Sequence, residues 1–456
     1  MRYNSGIDVR SHVVNTTTLL AIFAFLCGFL ASQRFALGAL SSYICVLPYA
    51  LFVWYLVSNK LDTALSFLVV SLFLATDNGG GAYPETPSAI RYLIYISCVF
   101  MLGCLSRPKV EAKTLFFLAT LFFVLLAITY SSDMVAFDAN TFRRDVSALI
   151  ILSLALLYRG KTTLSLPLLY CTTFGYLIGE LLNIAWFFSY HNDYLNYNGL
   201  KAFIVFPFLY AVFFKRNLIL SVTLFFLTFL VLVNYGSRML VSSFVGLLLV
   251  SFLVNNISNY GRILVIAIIT SSVVITFYFI GVRLVDLDVL PHKTLRFVFD
   301  ILTNVEEVDF IGAIKLLDPV RFAEHQMFFS RPVAEVIFGS GLGSGMVDTT
   351  GLLANVGFNQ TAFSDEELIS SLFFGFHDYW IDFGLRFGFV VVIYMLYLVS
   401  IGQMLKGRMI CGILFGLLLI NTTFATSGMI FTALIIKFYP ASRSSLMETN
   451  TRPLSQ

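Results

Sequence analysis

Apolar residues fill most of this chain in runs of helical length, broken by short polar turns and by one long interruption from 282 to 377. A helix needs about 20 predominantly apolar residues to cross the hydrocarbon core of a bilayer, because each residue rises 1.5 Å. That rule predicts spans over 13–31, 37–57, 61–76, 89–105, 114–130, 146–158, 164–189, 201–214, 218–234, 238–254 and 263–281. After the interruption it predicts 379–403, 410–425 and 428–439. The expected fold is therefore all-α and integral to a membrane, with about 14 (12–14) transmembrane helices. Four runs are short for a crossing: 61–76, 146–158, 201–214 and 428–439, the last of which also suits a re-entrant segment. The domain reading follows: 1–281 as transmembrane helices, 282–377 as a large loop, 378–440 as the closing helices and 441–456 as a tail.

Composition agrees. Hydrophobic residues make up 58% of the 456 and charged residues only 12%, half the share of an ordinary soluble domain. Mean hydropathy is +0.86. A formal charge of +3, with no basic run interleaved with aromatics, argues against nucleic acid as a partner. The six cysteines (Cys27, Cys45, Cys98, Cys104, Cys171 and Cys411) all fall in apolar segments, which disfavours a disulfide framework or a Cys/His zinc site. The first apolar run lacks a small-residue cleavage site and reads as a retained span.

Basic residues set the orientation, since Lys and Arg concentrate in cytoplasmic segments. With the N-terminus inside, the inner segments hold Lys60, Arg107, Lys109, Lys113, Arg159, Lys161, Lys215, Arg216, Lys406 and Arg408, among others. The short outer loops hold only Arg34, Arg91, Arg143, Arg144, Lys201 and Arg238. Both termini are then cytoplasmic and the long loop faces outward, away from ATP and nucleotide sugars. Its glycine run, Gly339-Ser340-Gly341-Leu342-Gly343-Ser344-Gly345, also lacks the Lys-Ser/Thr of a P-loop. It reads as a turn through which backbone passes close to helix ends.

Within the loop, 292–305 carries a helical apolar pattern, and a second helix should begin with Asp318 as N-cap and Pro319 at its first position. That spacing sets Arg321 and His325 on one face with Glu324 beside them. Arg331-Pro332 should bend or restart the helix. Such amphipathic helices suit the membrane surface. Arg238 opens a span after Gly236-Ser237. A guanidinium there opposes the helix dipole unless an anion compensates it; the alternative is an arginine snorkelling to headgroups. His377 begins another span, where it either caps the helix or meets a phosphate or proton. Asp382 and Arg386, four apart, should pair. Glu180 lies inside the span 164–189, a functional position by default unless Asn183 satisfies it. Asp365-Glu366-Glu367 reads as a solvated face rather than a metal site.

Three separated segments, Gly236-Ser237-Arg238, Ile337 to Gly343, and His377-Asp378-Tyr379 with Gly384 and Gly388, together resemble the O-antigen polymerase and ligase superfamily of integral-membrane glycosyltransferases. The similarity covers roughly 230–400. The ligase branch follows its histidine with Asn, Ser or Gln, then nine residues, a glycine and a small residue three further on. Here His377 is followed by Asp378, Gly388 and Val391, which fits the polymerase branch better. The resemblance implies a metal-independent, inverting enzyme without cofactor in a bacterial inner membrane, its site facing the periplasm. Its substrates would be undecaprenyl-diphosphate-linked oligosaccharides, and a chain-length regulator stays open as a partner. By this resemblance Arg238, Arg321 and His377 are the catalytic residues. From the residues themselves, Arg331, His325, Glu324, Asp378 and Glu180 are expected to contact substrate, with Glu324, Asp378 and Glu180 as candidate bases. A ligase delivering glycan to lipid A core and a flippase of lipid-linked oligosaccharide are the rivals. No internal two-fold repeat of the transporter kind is visible.

If Arg321 grips a diphosphate through its planar fork, a point charge cannot replace it. Arg321→Lys should lose polymer formation almost as completely as Arg321→Ala when each complements a deletion strain; full activity in the lysine variant would remove the clamp.

Overall fold

The computed structural model describes residues 9–75, 86–105, 124–125, 128–129, 137–157, 162–187, 201–234, 238–255, 319–347, 372–373, 379–421 and 426–438. In chain order the longer helices are α1 (Val9–Ser32), α2 (Val46–Val57), α3 (Leu61–Leu74), α4 (Ser88–Leu105), α5 (Ala139–Leu157), α6 (Leu166–Phe187), α7 (Leu218–Asn234) and α8 (Arg238–Asn255). They are followed by α9 (Pro319–Phe329), α10 (Val333–Phe338), α11 (Tyr379–Phe387), α12 (Phe389–Met395), α13 (Met409–Asn421) and α14 (Thr426–Phe438). The β structure among the described residues is a two-residue antiparallel ladder, β1 (Met346–Val347) on β2 (Leu372–Phe373), and an isolated antiparallel bridge between Phe137 and Ser344.

Three described segments are long and apolar enough to cross a membrane: Gly38–Val57, Ser88–Leu105 and Leu166–Ala185. Shorter apolar helices accompany them, among them Leu61–Leu74 and Met409–Leu418. Large apolar side chains stand exposed along α4 at Tyr92, Ile96 and Phe100, one turn apart. Water would penalise such a stripe, whereas lipid tails would cover it. These features indicate a membrane protein. The expected spans 114–130 and 263–281 and the helix over 292–305 lie largely or wholly outside the described residues.

The chain divides into two compact units. The first comprises Met1–Leu105, Gly160–Val231 and Phe438–Pro440. Its centre is the pair α1 and α6, which touch at backbone level because the residues between them are small. A Cβ on Gly28 would strike the carbonyl oxygen of Thr172, one on Gly175 the carbonyl of Phe25, and one on Gly179 the hydroxyl of Ser32. Close approach of this kind is how helices associate where lipid supplies no hydrophobic drive. It also brings polar groups across the seam: Asn183 Nδ2 donates to the Ser32 carbonyl at 2.8 Å and Gln33 Nε2 to the Gly179 carbonyl at 3.0 Å. At the start of the same helix region, Thr163 and Ser165 donate their backbone N–H groups to Asp62 Oδ1 and Ser66 Oγ of α3.

The second unit comprises Ser106–Arg159, Leu232–Lys437 and Ala441–Gln456. Its α5 starts well before the expected span at 146, because Asp138 caps it: Asp138 Oδ2 accepts from the Thr141 N–H at 2.7 Å. The extra turns carry Asp145 into the helix interior. The expected span 379–403 is also revised. Gly388, at φ +87°, ends α11 and opens α12, and a π-helical stretch (Leu396–Ile401) follows. No residue with a side chain fits at 388, since a Cβ would strike the Ile337 carbonyl.

The α1–α6 seam makes a direct prediction. Because the obstacle to Gly28→Ala is backbone rather than a movable side chain, the substitution should destabilise by about 1–3 kcal/mol, the usual overpacking cost. A lowered melting temperature in detergent checks it; Gly103→Ala, with open space around it, is the control and should melt like the parent.

Candidate functional site

The described segments of the long loop assemble on α11 within the second unit. Pro319 starts α9, its fixed φ suiting the first helical turn. Ala323, Glu324, Met327 and Phe328 form the buried face of that helix. Ala323, Met327 and Phe328 pack with Ile381 and Leu385 of α11. A Cβ on Gly384 would press on the Phe328 ring at 2.9 Å, so this glycine admits the phenylalanine. Trp380 gathers the remaining aromatics: its ring lies 4.9 Å from His325, 5.9 Å from Phe328 and 6.1 Å from Phe389.

Pro332 ends this run and, as expected, the helix restarts as α10. Arg331 at the bend reaches along α10, its Nη2 2.6 Å from Glu335 Oε2 and also bonded to Ser340 Oγ. Burial lowers the affinity of this guanidinium for its proton, and Glu335 acts in the opposite sense. Its Nη1 is buried and has no hydrogen-bond partner among the described residues.

The glycine run then crosses the C-terminal end of α11. A helix leaves its last carbonyls without partners inside the helix, and here the strip supplies donors. Ser340 N–H donates to the Leu385 carbonyl at 2.7 Å and Gly341 N–H to the Arg386 carbonyl at 3.2 Å. Leu342 N–H donates to Thr129 Oγ1 at 2.6 Å, and Gly343 N–H to Asp145 Oδ2 at 2.8 Å. The Gly343 carbonyl accepts from Asp138 N–H at 3.0 Å. Gly339, Gly341 and Gly343 all hold positive φ (+80°, +91° and +74°), a conformation open to glycine and strained for most other residues.

Beneath the strip lies Arg386, with no exposed surface. Its Nε is 3.0 Å from Asp145 Oδ2, and its Nη1 is 3.0 Å from both Asp382 Oδ1 and the Asp382 carbonyl. The i,i+4 pairing of Asp382 with Arg386 matches expectation. Asp145 was not anticipated, because its role depends on a helix start at Asp138 that the apolar pattern does not mark. The signal in the sequence is Asp138 itself, a residue type that caps helix N-termini.

Of the anticipated site residues, the structure places Arg321, Glu324 and His325 together on α9 and sets that helix against α11. Glu324 is buried, while His325 is half-buried on Trp380. Arg238 is the first residue of α8. His377 and Asp378 lie outside the described residues, immediately before α11. Glu180 is fully buried in α6, which belongs to the first unit. Among the described residues no group of three His, Cys, Asp or Glu side chains is placed to hold a metal ion. Comparison with protein-family models, with curated proteins and with solved structures gives no match for this chain.

Removing one partner of a buried ion pair strands the other charge, at a cost of about 3–5 kcal/mol. Asp145→Ala should therefore lower the melting temperature and speed proteolytic cleavage in the 339–345 strip. Asp145→Asn keeps an acceptor for Gly343 and should be cleaved more slowly than the alanine variant. Parent-like melting and digestion of Asp145→Ala would show that the pair does not hold the strip.

Proposed function

We propose that this chain is a polymerase of lipid-linked oligosaccharide repeat units, acting at the periplasmic face of a bacterial inner membrane. The observation that supports this most is the docking of α9, with Arg321 and His325, onto the helix that directly follows His377 and Asp378. Segments separated by some 50 residues of sequence are thereby brought together. The motif resemblance supplies the rest.

In this reading a hydroxyl at the non-reducing end of one repeat unit attacks the anomeric carbon of another. The bond from that carbon to undecaprenyl diphosphate breaks with inversion, and the hydroxyl proton passes to a base. Glu324, Asp378 and Glu180 remain the candidates. The departing diphosphate carries the developing charge, and fixed guanidinium groups stabilise it most where water is excluded. Arg238 and Arg321 fill that role, with His377 contacting the same diphosphate or aiding the proton transfer.

The test is surface polysaccharide from a deletion strain on a silver-stained gel, complemented with the parent, Arg238→Ala or Arg321→Ala. Core carrying a single repeat unit is the expected phenotype of the deletion and of both variants. Bare core with long polymer on the lipid carrier would instead identify a ligase. Bare core with unpolymerised units retained inside the cell would identify a flippase.

A further inference from the structure

Burial along the last part of the second unit changes abruptly at Gly388. Every residue from Ile381 to Gly388 is buried, covered in part by α9 and α10. Immediately beyond, Val390 is 56% exposed and Ile393 51%, and Tyr394 and Tyr397 are open to a similar degree. The run 389–405 is helical and contains no Asp, Glu, Lys or Arg. A charge-free apolar helix with bare side chains belongs in lipid, where its backbone is satisfied internally and its surface needs no water.

The tip of the outer loop continues this flank. Phe329, Val333 and Phe338 are 52%, 73% and 63% exposed, too open for a loop in water to leave together without reason. They are not remote from α12. The Phe329 ring lies 6.0 Å from Phe389, and the backbone at Ile337–Phe338 abuts Gly388. Polar positions of the same segments, Gln326 and Glu335, are exposed as well.

We propose that the outer surface of the bilayer meets the protein at the level of Gly388. In this arrangement α11 stands outside the hydrocarbon among the loop helices, and α12 enters the lipid. Phe329, Val333 and Phe338 are immersed beside it at the boundary between headgroups and acyl chains. The occupant of the exposed patch is phospholipid, because the patch is continuous with a helix that itself requires lipid around it. The inference rests on 389–405 being a membrane span and is independent of the polymerase reading.

The test uses the full-length protein in nanodiscs of phosphatidylethanolamine and phosphatidylglycerol. The photo-reactive residue p-benzoylphenylalanine replaces Val333, Phe338, Gln326 or Ile393, one per preparation, and mass spectrometry reads the adducts after irradiation. Val333 and Phe338 should form phospholipid adducts as Ile393 does, with loss of that product at Gln326. Three outcomes would overturn the proposal. Adducts at Ile393 but not at Val333 or Phe338 would place the tip in water. Adducts at Gln326 would sink the whole loop. Cross-links to another polypeptide at Val333 or Phe338 would mean that protein, not lipid, covers the patch.

Discussion

A guanidinium without solvent contact governs the second unit. Burying Arg386 is unfavourable unless carboxylates and carbonyls replace its lost water, and the chain meets that demand from two directions. Asp382 arrives from the same helix. Asp145 arrives from α5, and the oxygen that faces Arg386 Nε also accepts the Gly343 N–H. One carboxylate thus joins α5, the end of α11 and the glycine strip.

The glycines make the junction possible by geometry rather than by flexibility. Alternate positive φ values let successive N–H groups of the strip point at the end of α11 and at α5. A side chain at 339, 341 or 388 would occupy space already held by neighbouring atoms. The interface is accordingly made mostly of backbone, with apolar groups such as Leu342, Phe383 and Phe415 packed around it. The first unit reaches a similar end by other means, since α1 and α6 meet through small residues and then bond across the seam.

Features governed by neighbours in the chain were legible before the structure. Pro319 and Pro332 restrict their own φ, so the start of α9 and its restart as α10 followed from position alone. Asp382 and Arg386 sit one helical turn apart, and their pairing required nothing further. What escaped notice depends on partners far along the chain or on a break that hydropathy hides. Asp145 meets Arg386 only through the tertiary fold. Gly388 stops a helix inside the expected span 379–403, where a count of hydrophobic residues reads straight through. The contacts that set α9 against α11 are of the same tertiary kind, so sequence could name Arg321 and His325 without showing that their helix docks.

The bonds from Ser340 and Gly341 to the last carbonyls of α11 have a mechanical consequence. A lid that swings on a hinge must leave its resting place without stranding polar groups, yet lifting this strip would uncover two carbonyls and the carboxylate of Asp145 at once. The loop end is therefore coupled to α11 as a single rigid lever. Any opening of the loop must pivot elsewhere, and a tilt of α11 itself would be transmitted to the loop.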